Sequence, residues 1–282
     1  MVPIYYINLS SRQDRRAFME RQFEQLGVNA ERVEAVTPDQ ITVADLEPHL
    51  DKSNPYAASP GEVACALSHR RAWATMLERG QSAALVLEDD VTLSSWLRST
   101  LTAGLPESTG AGIVRLERST RKVALGQIRS NVADRITVRT LLSTDYGAAA
   151  YLMTDWMARR ILADPRFRAM TVDGYLFMRG SPIFPSRDIV QCDPAPCEQL
   201  RSSAMDVPPA RSDLVGMRFI RTSARSLPLR AKWRVAADDL GYTLRSTYLA
   251  FREGVNARRR IIEFASDKQT EPSPEQSGLS LQ

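Results

Sequence analysis

Residues 84–91 read Ala-Leu-Val-Leu-Glu-Asp-Asp-Val. A short apolar run ends in three consecutive carboxylates, Glu88, Asp89 and Asp90. An unbroken run of this length reads as a strand buried on both faces, and open α/β sheets place ligand chemistry at the carboxyl ends of such strands. Adjacent carboxylates repel one another, so folding alone does not favour them. A divalent cation relieves that repulsion. Hard carboxylate oxygens suit Mg²⁺ or Mn²⁺, which bridge in turn to phosphates. Two plainer readings stay open at this point: a solvated loop, or Asp89 and Asp90 at the start of a following helix.

Just upstream, residues 60–80 carry the clearest helical pattern, with Pro60 at the start and Gly80 after the end. Val63, Ala66, Leu67, Trp73, Ala74 and Leu77 fall on one face, and Arg70 falls in the middle of it. A guanidinium there needs a carboxylate, a carbonyl or a phosphate, or it reaches past the helix edge into water. His69 lies beside the stripe near Glu62 and Trp73, where packing and a place in a ligand site are both open.

The chain opens in the same strand-and-helix style. Residues 3–9 form an apolar, β-rich strand, and Ser11-Arg12-Gln13-Asp14 fits a capping box. Phe18, Met19, Phe23 and Leu26 recur at helical spacing before Gly27, and a second strand is expected at 32–36. The Gly-x-Gly-x-x-Gly dinucleotide fingerprint is absent. Asn8, Arg12, Asp14 and Arg15 stand where the first strand gives way to its helix, a location suited to nucleotides in doubly wound sheets. The capping box accounts for Asp14 by itself, and a solvated helix face accounts equally for Arg12 and Arg15. Further strands are expected at 112–116, 136–142, 148–153 and 189–192, with a short helix from Asp155 to about Asp164. Strands and helices alternate through the first 200 residues, which predicts an α/β sandwich.

The 282 residues are 43% hydrophobic and 25% charged, ordinary for a globular protein. No run approaches a membrane span, and the opening Met-Val-Pro-Ile-Tyr-Tyr-Ile-Asn lacks a basic n-region, so a cytoplasmic protein is expected. Three cysteines make no disulfide framework. The formal net charge of +4 is unevenly spread, since residues 215–260 carry 11 Arg or Lys against 3 Asp or Glu. Residues 201–214, with Pro208-Pro209, read as a linker, followed by two Arg-rich helices at about 229–240 and 242–264 and a disordered tail at 266–282. Arg218, Arg221, Arg225, Arg230, Lys232 and Arg234 beside Trp233 suggest peripheral contact with an anionic membrane, at the inner face of an inner membrane. A nucleic-acid role would use the same charges, but no nucleic-acid motif accompanies them.

Residues 4–16, Ile-Tyr-Tyr-Ile-Asn-Leu-Ser-Ser-Arg-Gln-Asp-Arg-Arg, resemble the opening of glycosyltransferase family 25, which includes bacterial lipooligosaccharide glycosyltransferases and collagen galactosyltransferases. Residues 60–69, Pro-Gly-Glu-Val-Ala-Cys-Ala-Leu-Ser-His, and the acidic strand at 84–90 resemble two further blocks of that family in the same order. Tyr146-Gly147-Ala148-Ala149-Ala150-Tyr151 fits a later one, and the similarity runs over about residues 3–200.

The resemblance implies a GT-A-like, Rossmann-type nucleotide-sugar-binding domain over 1–200, followed by the linker at 201–214 and a basic helical extension at 215–265. It implies inverting transfer of a hexose, galactose or glucose, from a UDP-sugar donor to a lipopolysaccharide, lipooligosaccharide or other envelope glycan or glycolipid. The acidic strand then stands in for an Asp-x-Asp motif, with Asp90 first and Asp89 second as ligands for Mn²⁺ or Mg²⁺. Glu88 contacts ribose or stays structural, and Asn8, Arg12, Asp14, Arg15, His69 and Arg70 join the donor site. Asp173 matches a downstream acidic position of the family and is the candidate general base, with Asp145 and Asp188 as rivals. Many GT-A enzymes add a downstream histidine to the metal, but the two histidines here, His49 and His69, both precede the acidic strand, which leaves Asp193, Glu198 or water to complete the shell. A member that binds nucleotide or glycan without turnover is the alternative.

Overall fold

The structure is a computed structural model, and it describes residues 1–133, 135–200, 227–253 and 259–266. The strands are β1 (Ile4–Asn8), β2 (Glu31–Glu34), β3 (Ala83–Glu88), β4 (Val91–Leu93), β5 (Ile113–Arg115), β6 (Val123–Val132), β7 (Ile136–Leu141), β8 (Ala150–Thr154), β9 (Ile189–Asp193), β10 (Cys197–Gln199) and β11 (Arg259–Arg260). The α-helices are α1 (Gln13–Leu26), α2 (Val43–Leu50), α3 (Pro60–Glu78), α4 (Leu97–Thr102), α5 (Leu105–Thr109), α6 (Asp155–Ala163), α7 (Val172–Phe177) and α8 (Leu229–Arg252).

Nine strands form one mixed sheet in the order β11-β6-β7-β9-β5-β8-β3-β1-β2. β1 pairs parallel with β2 on one side and β3 on the other. The chain thus steps from β1 outward to β2 and returns across β1 to β3. That reversal makes the β1/β3 boundary a topological switch point, the place where open α/β sheets leave a crevice beyond the strand ends. β8 runs antiparallel to both β3 and β5, and β5 runs parallel to β9. The carboxyl ends of β1, β3, β5 and β9 therefore lie on one edge of the sheet.

Period-two alternation splits the core between the sheet faces. Tyr5, Ile7, Ala84 and Val86 pack with Trp73 and Met76 of α3. Ile4, Tyr6, Leu85 and Leu87 pack with Met19 and Phe23 of α1. Among the described residues no helix is long and apolar enough to cross a membrane.

Several sequence expectations need correction. The N-cap of α1 is Arg12, without a side-chain cap bond, so the box expected at Ser11–Asp14 does not form; Gly27 ends the helix in the left-handed region as expected. The box instead opens α3, where Ser59 and Glu62 cap each other's backbone. The buried face of α3 includes Val63, Ala66 and Trp73 as expected, but it is centred on Ala64, Ser68, Ala72 and Met76, and Arg70 is exposed. Apolarity alone shifted this face because Ser68 packs as a small residue, donating to the Ala64 carbonyl at 2.7 Å and accepting from Val36 N–H at 2.8 Å. The two expected C-terminal helices are one: Gly241 sits inside α8 without a positive φ, and the helix runs on to Arg252. Residues 259–260 then form an edge strand on β6 rather than more helix. The linker at 201–214, residues 267–282 of the expected tail, and Arg218, Arg221 and Arg225 lie outside the described residues.

Helix α8 docks on the α/β body along one face. Tyr242 and Leu249 are buried, Tyr56 OH donates to Asp238 at 2.7 Å, and Arg245 donates to the Ser181 and Phe184 carbonyls at 3.0 and 2.9 Å. Glu253, just past the helix, accepts from Gln127 N–H at 3.0 Å and faces Arg187 at 3.4 Å.

Candidate functional site

The acidic triplet sits at the switch point. In the β1–β3 register Ile7 lies opposite Glu88, so Asn8 and Asp89 emerge side by side beyond the pairing. Asn8 Nδ2 donates to Asp89 Oδ2 at 2.7 Å. Arg15, in the first turn of α1, is buried and donates to Asp89 Oδ1 at 2.6 Å, while its other terminal nitrogen lies 3.3 Å from Asp90 Oδ2. Arg15 is therefore the counter-ion of the triplet and not part of a solvated face. Arg12 and Asp14 pair with each other at 2.9 Å nearer the surface. That hydrogen bond outweighs slight burial and pulls the Asp14 carboxyl down to about 2.

Gln199 completes the cluster. Its Nε2 donates to Glu88 Oε2 at 3.0 Å and to Asp90 Oδ1 at 3.2 Å, and Leu200 N–H donates to the Asp90 carbonyl at 2.7 Å. The antiparallel β4–β10 pair, which sets Gln199 opposite Val91, delivers it there. The residues considered for the rest of a metal shell are elsewhere: Glu198 pairs with Arg118, and Asp193 with Arg260 at 3.1 Å.

Among the described residues one arginine, paired with Asp89 and Asp90, thus stands against three carboxylates. Burial, reinforced by the charge on Glu88, raises the Asp90 carboxyl to about 7, and burial also raises Asp89. Asn8 Oδ1 is buried and has no hydrogen-bond partner among the described residues. An orphaned acceptor beside surplus negative charge is the donor set of a hard divalent cation, which would supply the missing positive charge. The residues present fit such an ion.

Behind Glu88 runs a buried chain of side chains. Trp73 Nε1–H donates to the Tyr151 hydroxyl at 2.9 Å, and that hydroxyl lies 2.7 Å from His69 Nδ1. Indole N–H can only donate, so the tyrosine oxygen accepts and turns its own hydrogen to Nδ1. By this network the His69 proton sits on Nε2, which faces Glu88 Oε1 at 3.3 Å. His69 is fully buried and both ring nitrogens are engaged, so it reaches the site through Glu88 and has no face open to a nucleotide. Cys65, one turn before His69, places its sulfur 3.9 Å from the same Glu88 oxygen. The three donor atoms lie within 4.8 Å of one another, a spacing that suits a metal. Burial, joined by the charges of Glu88, Asp173, Asp90 and Glu62, nevertheless holds the Cys65 thiol well above its ordinary range.

Asp173 starts α7 and lies within electrostatic reach of Cys65, on the α3 side of the cluster. One of its oxygens accepts from Thr171 Oγ1 at 2.7 Å and from Gly174 N–H at 2.8 Å. The rival bases are committed elsewhere. Asp145 is buried against Arg115 at 2.7 Å. Asp188 accepts backbone bonds from Gly112 and Ile113 at the start of β9, on the opposite edge of the sheet. Arg70 lines a separate hollow with Asp45, His49 and Arg168, away from the carboxylates.

A second buried group lies further along the edge. Glu117, just past β5, accepts from Ala149 N–H at 3.0 Å and lies 3.3 Å from Arg115, yet burial carries its carboxyl up to about 7. Gly147 has φ +88°, and a Cβ there would fall 2.5 Å from Glu117 Oε1, so only glycine fits.

The sequence profile described as "Glycosyltransferase family 25 (LPS biosynthesis protein)" matches residues 1–176. The chain belongs to glycosyltransferase family 25. Among its relatives is procollagen galactosyltransferase 1-A of Xenopus laevis, 30% identical over 188 residues, which are 61% of this chain and 30% of that protein. A Haemophilus influenzae protein provisionally named a glycosyltransferase is 29% identical over 199 residues, 69% of each chain. "Inactive glycosyltransferase 25 family member 3" of Mus musculus is 27% identical over 187 residues, 61% of this chain and 31% of the other. The chain thus spans about a third of the length of its animal relatives. The family match takes in Asn8, Arg15, Cys65, His69, the acidic triplet, Tyr151 and Asp173, whereas Gln199 lies beyond it.

Proposed function

We propose that the protein transfers a hexose from a UDP-sugar to an envelope glycan or glycolipid, such as a lipopolysaccharide core, with inversion at the anomeric carbon. The observation that carries this reading is the charge imbalance at the β1/β3 switch point: Glu88, Asp89 and Asp90 against Arg15, with Asn8 Oδ1 unpartnered. Such a place favours a cation and the diphosphate that comes with it.

Within this reading the three carboxylates divide the work. Asp89 has one oxygen on Arg15 and the other on Asn8, which makes it an anchor. Asp90 and Glu88, joined by the softer hold of Gln199, are the better ligands for Mn²⁺ or Mg²⁺. The bound ion would neutralise charge growing on the departing diphosphate. Arg15 fixes Asp89 and offers a permanent positive charge nearby. Asp173 takes the proton from the acceptor hydroxyl as that oxygen attacks the anomeric carbon from the side opposite the diphosphate.

A panel of nucleotide sugars, assayed for slow donor hydrolysis with and without Mn²⁺, tests the reading. UDP-hexose turnover that depends on a divalent cation supports it, and absence of turnover with every UDP-sugar overturns it. Binding of UDP without turnover selects the inactive-member alternative, for which a relative carrying that name is the precedent.

A further inference from the structure

Helix α8 has a second apolar face that the body does not cover. Leu229, Trp233, Leu240, Leu244, Tyr248 and Phe251 are 60–86% exposed. At 100° per residue all six fall within about 100° of arc. The buried residues Ala231, Tyr242 and Leu249 point the opposite way, into the body. The 24-residue helix carries this stripe along about 36 Å of its length. Single exposed apolar side chains are ordinary, but a continuous stripe marks a surface that meets something apolar.

The charges beside the stripe say what kind of surface. Arg230 and Arg252 border it on one side and Lys232 on the other, and all three are exposed. Of the helix's two acids, Asp238 is turned to Tyr56 on the body side, and Asp239, half exposed, leans to Arg179 on the flank next to Lys232. An apolar stripe with aromatic rings, bordered by Arg230 and Arg252 and holding no acid within its own arc, is complementary to a bilayer with anionic headgroups. A protein partner would need no such one-sided rim.

We infer that α8 seats the protein on an anionic lipid surface, lying in the interface plane with Trp233 and Phe251 among the acyl chains and Arg230, Lys232 and Arg252 at the headgroups. Because α8 is bonded to Ser181 and Phe184, just after α7, the segment that carries Asp173 is held close to that surface. The inference stands independently of the sugar-transfer reading.

The test is flotation of the full chain with vesicles of phosphatidylcholine and phosphatidylglycerol, against vesicles of phosphatidylcholine alone, at low and at molar salt. The intact protein is expected to float with the anionic vesicles, to be released in part by salt, and to show Trp233 emission quenched by brominated acyl chains, a signal lost in Trp233→Phe. The double variant Leu240→Glu, Leu244→Glu changes two outward side chains that touch no core. It is expected to lose vesicle binding by about tenfold or more while keeping its thermal midpoint and its donor hydrolysis. An intact protein that ignores anionic vesicles at low salt overturns the inference, as does a double variant that binds as well as the parent. A concentration-dependent dimer that the double variant dissolves, with no vesicle binding, replaces it with self-association through the same stripe.

Discussion

Arg15 and Arg115 are both buried, and both face clustered carboxylates along the same edge of the sheet. Arg115 is fully enclosed. Its guanidinium donates to Asp145 at 2.7 Å, Gln191 at 3.0 Å and the Tyr146 carbonyl at 2.7 Å, and lies beside Glu117 at 3.3 Å. With Glu117 raised to about 7, the charges there come close to balancing near neutral pH. Arg15 pairs with Asp89 and Asp90 and has Glu88 beside them, and among the described residues the nearby Asn8 oxygen has no partner. The same pairing chemistry thus gives nearly balanced charge in one place, although Arg115 Nε is itself without a partner among the described residues, and a surplus of negative charge in the other. Burial of an arginine among acids is no sign of function by itself; the uncompensated remainder is.

Asp173 stands outside both clusters, held by its own helix turn, and among the described residues no arginine pairs with it. Its loss gives the largest expected effect. Asp173→Asn should lower transfer by about 10²- to 10⁴-fold, with UDP affinity changed by no more than about threefold. Normal transfer would remove Asp173 from the mechanism, and a large loss of UDP binding would make it a donor-side or structural residue.

Arg115→Ala should be the most destabilising change along the edge. It strands Asp145 in a dry interior, where breaking a buried pair costs about 3–5 kcal/mol. Thermal or urea unfolding measures this, and added Mn²⁺ should not restore what is lost. If the protein is as stable without Arg115 as with it, the Arg115 cluster is not structural. Arg15→Ala removes the cation that pairs with the triplet, and there a divalent ion should recover part of the lost stability. Equal responses to Mn²⁺ in the two variants would erase the distinction between them.

The difference between the two clusters was only partly legible in the sequence. β1, β3 and α3 announce themselves by local pattern, because each buries its own apolar residues at its own period. Arg15 shares a face of α1 with Met19 and Phe23, so a cation on a buried helix stripe was visible in principle. Cys65 and His69, one turn apart on α3, carried the same kind of signal. Gln199 carried none: it reaches the triplet only because β10 pairs with β4, a contact set by a hundred residues of intervening fold. β6 also escaped notice, since Gly126 and Gln127 interrupt its alternation and its register with β7 shifts twice. Glu117 and Arg115 look like ordinary surface charges until β8 and β9 close over them.

Asp90→Asn should then separate the metal from the scaffold. The expected result is a loss of transfer of about 10²-fold or more, from lost stabilisation of the leaving diphosphate. Folding should be unharmed or improved, because the substitution removes a carboxylate that burial already disfavours. Any rise of the thermal midpoint with Mn²⁺ in the parent should vanish in this variant. Undiminished turnover in metal-depleted buffer would sink the assignment.

The smallest effect is a slope with pH. A carboxylate whose pKa is raised on folding binds more protons in the native state than in the unfolded one, so stability falls as pH rises between the two values. For Glu117 that window runs from the ordinary 4.5 to about 7, and Asp90, rising from 3.8 to about 7, adds a slope of the same sign. Asp14 has the opposite sign, but its window lies between 3.8 and about 2, too acid to interfere; His49, which burial lowers from 6.5, opposes the decline at the acid end of the range with one group against two. The thermal midpoint should therefore decline from pH 5 to pH 8. Glu117→Gln keeps an acceptor for Ala149 N–H and removes the titration, and should flatten the decline by an amount on the order of 1–3 kcal/mol. Asp90→Asn should remove much of the rest in metal-free buffer. A parent whose stability rises from pH 5 to 8, or a Glu117→Gln variant with an unchanged slope, would mean that Arg115 keeps Glu117 ionised throughout. The Arg115 cluster would then carry an uncompensated charge as well, and the distinction from the Arg15 cluster would shrink to two carboxylates against three.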